Sequence, residues 1–256
     1  MRSQCQRGFS FMLTTLFFLA CGFLSDASLA AELAGRAFTV VLDSGHTPKS
    51  GGALGARGVY EVEYNDQLTA KIAQALQGAG IQVVLTRKSH EEISLDGRVE
   101  IANKSKAQLF LAVHHDSAQL KYLNKTDYFG KPAYQTHQSI TGYSIFVSQL
   151  NGEAQLSLKF GQMLGRSMRA LGRPPALHHA EAIAGENRQL LSPELGLYRF
   201  DELLVLRKNT LPAVLLEAGV IVDVVDEKYV SSVDKQSAIA QAVVAAVMKF
   251  RLALRP

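Results

Sequence analysis

The sharpest constraint on this chain is a set of short apolar runs, each of which ends in a group able to do chemistry. Phe38-Thr39-Val40-Val41-Leu42-Asp43 leads into Ser44-Gly45-His46, Gln108 to Val113 leads into His114, and Ala213-Val214-Leu215-Leu216 leads into Glu217. Nearly continuous runs of this length, rich in Val and Leu, read as strands buried on both faces, as in parallel sheets covered by helices. Ile81 to Thr86, Tyr143 to Ser148 and Glu202 to Leu206 read as further strands. Helical spacing lies between them. Leu68, Ile72, Leu76 and Ala79 share one face of a helix near Glu63 to Ala79, which Gly80 ends. Leu95 to Asn103 and Glu153 to Leu171 follow, and Val233 to Leu252 carries Ile239, Val243, Val247 and Phe250 on the face that covers the sheet. The alternation predicts the α/β class: a single three-layer domain with a mostly parallel (mixed) sheet of about six strands flanked by helices. Two segments exceed ordinary connection lengths, Ala118 to Thr141 and Gly172 to Phe200. Both are expected to be rims of a cleft, the second as a surface excursion.

In an open parallel sheet the strand ends share the edge where ligands bind. His46, His114 and Glu217 are therefore expected to converge there, together with Glu61 just before the first helix. Two imidazoles and a carboxylate suit Zn²⁺, which in catalytic sites takes three protein ligands and leaves one position open. The fourth group then acts on water. Taken singly, His46, His114 and Glu61 read as ordinary loop residues. Glu217 stands out because a carboxylate directly after Pro212-Ala213-Val214-Leu215-Leu216 is costly to bury without a partner or a metal. A structural ion pair with an Arg such as Arg98 is its alternative.

The N-terminus reads as targeting rather than fold. Arg2 and Arg7 precede an apolar stretch from Phe9 to Leu24, and Ser28-Leu29-Ala30 supplies small residues before a cut at Ala30/Ala31. The stretch is shorter than the ~20 residues of a membrane span. Residues 1–30 are thus expected to be a secretory signal peptide and 31–256 the catalytic domain, exported to the periplasm. Phe18-Leu19-Ala20-Cys21 loosely resembles a lipoprotein cleavage box, so a chain anchored through Cys21 is the alternative. Both cysteines, Cys5 and Cys21, precede Ala31, which excludes a disulfide, a Cys-ligated metal and a Cys nucleophile from the expected mature chain. The formal charge of +4 suits an acidic polymer, yet no Lys/Arg run of nucleic-acid-binding length is present.

Four stretches carry a resemblance. Val41-Leu42-Asp43-Ser44-Gly45-His46 followed by Glu61 and Asn65 resembles the opening motif of the zinc-dependent N-acetylmuramoyl-L-alanine amidases of the amidase-3 type. So do Ser94-Leu95-Asp96-Gly97-Arg98-Val99-Glu100-Ile101-Ala102-Asn103, Val113-His114-His115-Asp116 and Pro212-Ala213-Val214-Leu215-Leu216-Glu217-Ala218-Gly219, in the family's order from about Phe38 to Leu252. The resemblance implies that His46, Glu61 and His114 ligate zinc and that Glu217 is the catalytic base. It further implies that the substrate is the amide between N-acetylmuramic acid and L-alanine in peptidoglycan. Asp116 matches an Asp that some members hold close to the metal. The chain departs from the family at Ser44-Gly45-His46-Thr47-Pro48, where Pro-Gly-His-Gly-Gly is usual. It also lacks the inserted helix that blocks zinc in division amidases, between Ser148 and Glu153; Glu181, Glu186 or His179 of the long segment could cover the cleft instead.

Three rival readings fit the residues less well. A carboxypeptidase-like zinc hydrolase using His178 and Glu181 as an H-x-x-E pair wants a further His downstream, and none follows His179. A serine hydrolase wants a G-x-S-x-G elbow, which is absent. A non-catalytic or activator-dependent envelope-binding module ordinarily loses ligands, and here all four groups remain. With the motifs starting soon after residue 30, no separate wall-binding domain is expected, and targeting falls to the catalytic domain, Cys21 or a partner.

Overall fold

The computed structural model describes residues 37–254; the expected signal peptide, Cys5 and Cys21 lie outside them. The first half runs β1 (Thr39–Ser44), α1 (Glu61–Gly78), β2 (Gln82–Leu85), α2 (Leu95–Lys104) and β3 (Leu109–Asp116). A hairpin of β4 (Leu123–Tyr128) and β5 (Lys131–Thr136) leads to β6 (Ser144–Val147) and α3 (Ala154–Ala170). Then come β7 (Gln189–Ser192), β8 (Leu197–Arg199), the single turn α4 (Leu204–Arg207), β9 (Ala213–Val220), α5 (Val224–Val230) and α6 (Val233–Ala253).

Seven strands form one sheet in the order β2-β1-β3-β9-β6-β8-β7, and β4 pairs only with β5. β1, β2, β3 and β9 are parallel to one another, as are β6 and β8; β6 meets β9 antiparallel and β7 meets β8 antiparallel. The expected α/β class with a mostly parallel, mixed sheet is what the chain forms, with seven strands rather than about six.

Strand alternation divides the core into two layers. Val40 and Leu42 of β1 pack with Leu68, Ile72 and Leu76 of α1 and with Ile239, Val243 and Val247 of α6. Val41 turns to the other face, beside Val99 and Ala102 of α2 and Val205 and Leu206 of α4. The apolar run of β1 is continuous because both faces are covered. Gly80, at φ +74°, turns the chain out of α1 into β2.

Two expectations are overturned. The Glu202 to Leu206 strand is instead the turn of α4, closed by Leu206 N–H donating to the Leu203 carbonyl. A short apolar run fits either backbone, and the ladder positions beside β9 are already taken by β3 and β6. The Gly172 to Phe200 segment is no mere surface excursion: it supplies β7 and β8, which extend the main sheet. Among the described residues no helix is long and apolar enough to cross a membrane.

Candidate metal centre

β1 and β3 deliver the first pieces because they are parallel neighbours whose ends share one edge of the sheet. His46 lies two residues past β1, in the left-handed region at φ +62°. Such a conformation is strained for a residue with a side chain and persists only where its surroundings impose it. Two buried arginines do so. Arg98 donates to the Ser44 carbonyl at 2.6 Å and to the His46 carbonyl at 2.5 Å. Arg87 donates to the carbonyls of Ser44, Gly45 and His46 at 3.2, 3.1 and 3.0 Å. Arg98 is anchored by Asp43 at 2.6 Å and Arg87 by Asp66 at 2.6 Å. Arg98 therefore holds the loop of the first histidine and does not pair with Glu217.

Glu61 is the first residue of α1, not a residue ahead of it. Its two oxygens meet different imidazoles: Oε2 lies 2.9 Å from His46 Nε2, and Oε1 lies 3.0 Å from His114 Nδ1. Burial pushes the Glu61 carboxyl up, but the bonds and charges of His114 and His46 outweigh it and hold the group far below the usual carboxylate range. Asn65, one turn along α1, donates to Glu61 Oε1 at 3.0 Å and to the Gly45 carbonyl at 3.3 Å. Its Oδ1 meets His115 Nδ1 at 2.8 Å. His115 is buried, and burial lowers its pKa to about 3, so it stays neutral.

The donor atoms of His46, Glu61 and His114 lie within 4.8 Å of one another. Two imidazoles and a carboxylate converging at this distance fit a zinc ion. The surroundings also leave room for the rings. A Cβ on Gly45 would overlap the His114 imidazole, and one on Gly52, at φ +78°, would sit 2.5 Å from Glu61 Oε2 and 2.8 Å from His46 Nε2. Both glycines are needed by contact, not only by backbone freedom.

Glu217 stands directly across the ladder from His114. Its Oε2 is shielded from water and has no hydrogen-bond partner. Burial, and then the nearby Asp116 and Glu61 carboxylates, raise its pKa well above the usual range. Asp116 does not join the His46 group. It binds His179 Nε2 at 2.6 Å and approaches His178 Nε2 at 3.2 Å, and His179 Nδ1 meets Glu186 at 2.9 Å. Burial opposes charge on His179, yet Asp116 and Glu186 raise its pKa to about 10. Glu181 instead accepts from Lys121 at 2.7 Å and Tyr122 at 2.6 Å. His178 and Glu181 are thus no ligand pair. Sequence reading missed the positioning roles of Arg87 and His115; the Asn65 of the opening motif was the available signal for the latter.

Residues 40–249 match the family model Amidase_3, described as N-acetylmuramoyl-L-alanine amidase. The chain is 29% identical over 241 residues to a probable N-acetylmuramoyl-L-alanine amidase, AmiB, of Haemophilus influenzae, covering 85% of this chain and 52% of that protein. It is 37% identical over 86 residues to the amidase AmiA of Escherichia coli, covering 34% of this chain and 30% of that one. The chain thus spans about half the length, or less, of these curated relatives. In fold it is similar to the catalytic domain of the amidase CwlV from Bacillus (Paenibacillus) polymyxa, with a TM-score of 0.62 at 24% identity over 83% of this chain and 97% of that one.

Proposed function

The chain belongs to the Amidase_3 family of N-acetylmuramoyl-L-alanine amidases, and from that premise we propose that it hydrolyses the amide joining N-acetylmuramic acid to L-alanine in peptidoglycan, with zinc as cofactor. The observation that carries the reading is the convergence of His46, Glu61 and His114 beside the shielded carboxyl of Glu217. His46, Glu61 and His114 would hold the ion. When bound, zinc supplies Lewis acidity that polarises the scissile carbonyl and makes water nucleophilic near neutral pH.

The chain's own groups do the remainder. Glu217 Oε2 takes a proton from the attacking water and delivers it to the departing L-alanine nitrogen. Burial and the neighbouring Asp116 and Glu61 carboxylates raise its pKa, which makes it a stronger proton acceptor than an ordinary carboxylate. Asn65 fixes Glu61 and the first histidine's loop through its two donated bonds. Arg98 and Arg87 keep His46 in its strained backbone.

Residues 1–30 act as a secretory signal peptide in this reading, and the mature chain works in the periplasm, where its substrate is found. The positive charge is compatible with an anionic wall polymer.

The test is digestion of purified sacculi by the full mature chain, with products read by mass spectrometry. Free stem peptides beside glycans with intact N-acetylmuramic acid, lost on chelation and restored by zinc, are expected. Failure to cleave with zinc bound would replace this reading by a non-catalytic or activator-dependent envelope-binding module. N-terminal sequencing of exported protein is expected to begin at Ala31.

A further inference from the structure

Among the described residues a second group of metal-ligating side chains converges, separate from the first: Asp116, His178 and His179 offer donor atoms all within 4.8 Å of one another. Asp116 closes β3, while both histidines sit on a helical turn, His178–Ala180, in the long segment between α3 and β8.

Three features make this more than proximity. Nε2 of His178 and Nε2 of His179 both face the same oxygen, Asp116 Oδ2, at 3.2 and 2.6 Å. Ligand atoms at zinc bond lengths in tetrahedral geometry stand about 3.3 Å apart, so little movement separates the present spacing from a coordinating one. His178 is the second feature. Its side chain is only 4% exposed and is aimed at Asp116, yet neither ring nitrogen makes a hydrogen bond. A buried polar group without a partner is a cost that native proteins rarely carry, and coordination through Nε2 would relieve it. The third is Glu186, whose Oε2 meets His179 Nδ1 at 2.9 Å. A carboxylate on the far nitrogen of a ligating imidazole sets its tautomer and turns the Nε2 lone pair toward the metal.

We propose that Asp116, His178 and His179 bind a second divalent transition-metal ion of the zinc class, with Glu186 orienting His179. Two neutral imidazoles and one carboxylate favour such an ion over Mg²⁺ or Ca²⁺, which prefer all-oxygen sites. The carboxylates of Asp116 and Glu186 balance its charge. The ion ties the segment that carries β7 and β8 to the end of β3. This inference does not depend on the amidase reading, because it concerns binding and not turnover.

The experiment uses the full chain, stripped of metal, reloaded with Zn²⁺ and freed of unbound ion, with bound zinc counted by elemental mass spectrometry. About two equivalents are expected for wild type and about one each for D116N, H178N and H46A. Crystals of the zinc-loaded wild type, measured at the zinc absorption edge, are expected to show one anomalous peak between Asp116, His178 and His179 and another at His46. Loaded wild type should also resist trypsin at Arg188 about tenfold longer than loaded D116N. One equivalent in wild type with its peak at His46, or two with no peak at Asp116, overturns the proposal and leaves a protonated His179 bridging Asp116 and Glu186. Loss of the His46 peak alone would count against the amidase reading and leave the second site standing.

Discussion

His115 shows at the scale of one residue how the site constrains protonation. Its pKa falls from the free value of about 6.5 to about 3 because burial disfavours the imidazolium. The unfolded chain therefore binds the proton more readily than the native one. The stability this residue supports is fully present above pH ~6.5 and is lost as pH falls from there toward about 3. Urea unfolding measured across that interval should show a shallower acid slope for H115Q than for wild type. At Glu217 the expected effect is on rate: E217Q should keep the zinc stoichiometry of wild type and lose about 10²–10⁴ in kcat. H46A should lose activity together with the zinc at the first site. An E217Q enzyme as fast as wild type would remove Glu217 from the proton transfer. Arg98 gives a third case. Its ion pair with Asp43 is buried on both sides, so R98M leaves an uncompensated charge and should cost about 3–5 kcal/mol in denaturant titrations. Because Arg98 also holds the His46 carbonyl, the variant should bind zinc more weakly. His46, Glu61, His114 and Glu217 were legible in the sequence because each borders a strand or helix with a clear pattern. Arg87 was not, since its task is to donate to main-chain carbonyls and no side-chain pattern records that.

Elements explain why those residues meet. β1, β3 and β9 run in the same direction, so the turn after β1 and the C-terminal halves of β3 and β9 bring together His46, His114 and Glu217, residues separated by as much as 171 positions in the chain. The loop between β1 and α1 must then pass close to the site, which Gly52 permits. G52A puts a Cβ against Glu61 Oε2 and His46 in a backbone conformation that alanine resists. The variant should weaken zinc binding at least tenfold in chelator competition, while far-UV circular dichroism stays as in wild type. On the face of the sheet that α1 and α6 also cover, α3 is held by Phe160, Leu164 and Met168, all fully buried. L164A should cost about 2–5 kcal/mol through the cavity it leaves, read as a lower denaturation midpoint. The helices were readable because their apolar residues recur with helical period. The α4 turn was not, because an apolar run of a few residues is compatible with a strand as well, and its packing beside Ala213 and Leu215 decided the matter.

For the whole molecule, metal binding couples to stability because an ion held by the folded chain alone stabilises it. At free zinc 100-fold above the dissociation constant, each such site adds about 2.7 kcal/mol. Chelation should therefore lower the Tm of wild type, lower that of H46A by less, and leave that of an H46A/D116N double variant unchanged. An H46A protein insensitive to chelator would contradict the second site. The sequence by itself determined the α/β class, the order of most elements and the four groups at the sheet edge, because strand and helix periodicity are local and the motif residues sit in or just beside strands and helices. Tertiary structure alone decided the rest. It made the Gly172 to Phe200 segment two strands of the sheet, since a short polar-flanked run becomes a strand only when an edge is there to pair with it. It also turned Arg98 toward Asp43 and the His46 loop and left Glu217 Oε2 unpaired. Finally, it set His178 and His179 against Asp116, 62 and 63 positions away in the chain, a contact between distant segments that depends on how the sheet and its connections close over one edge.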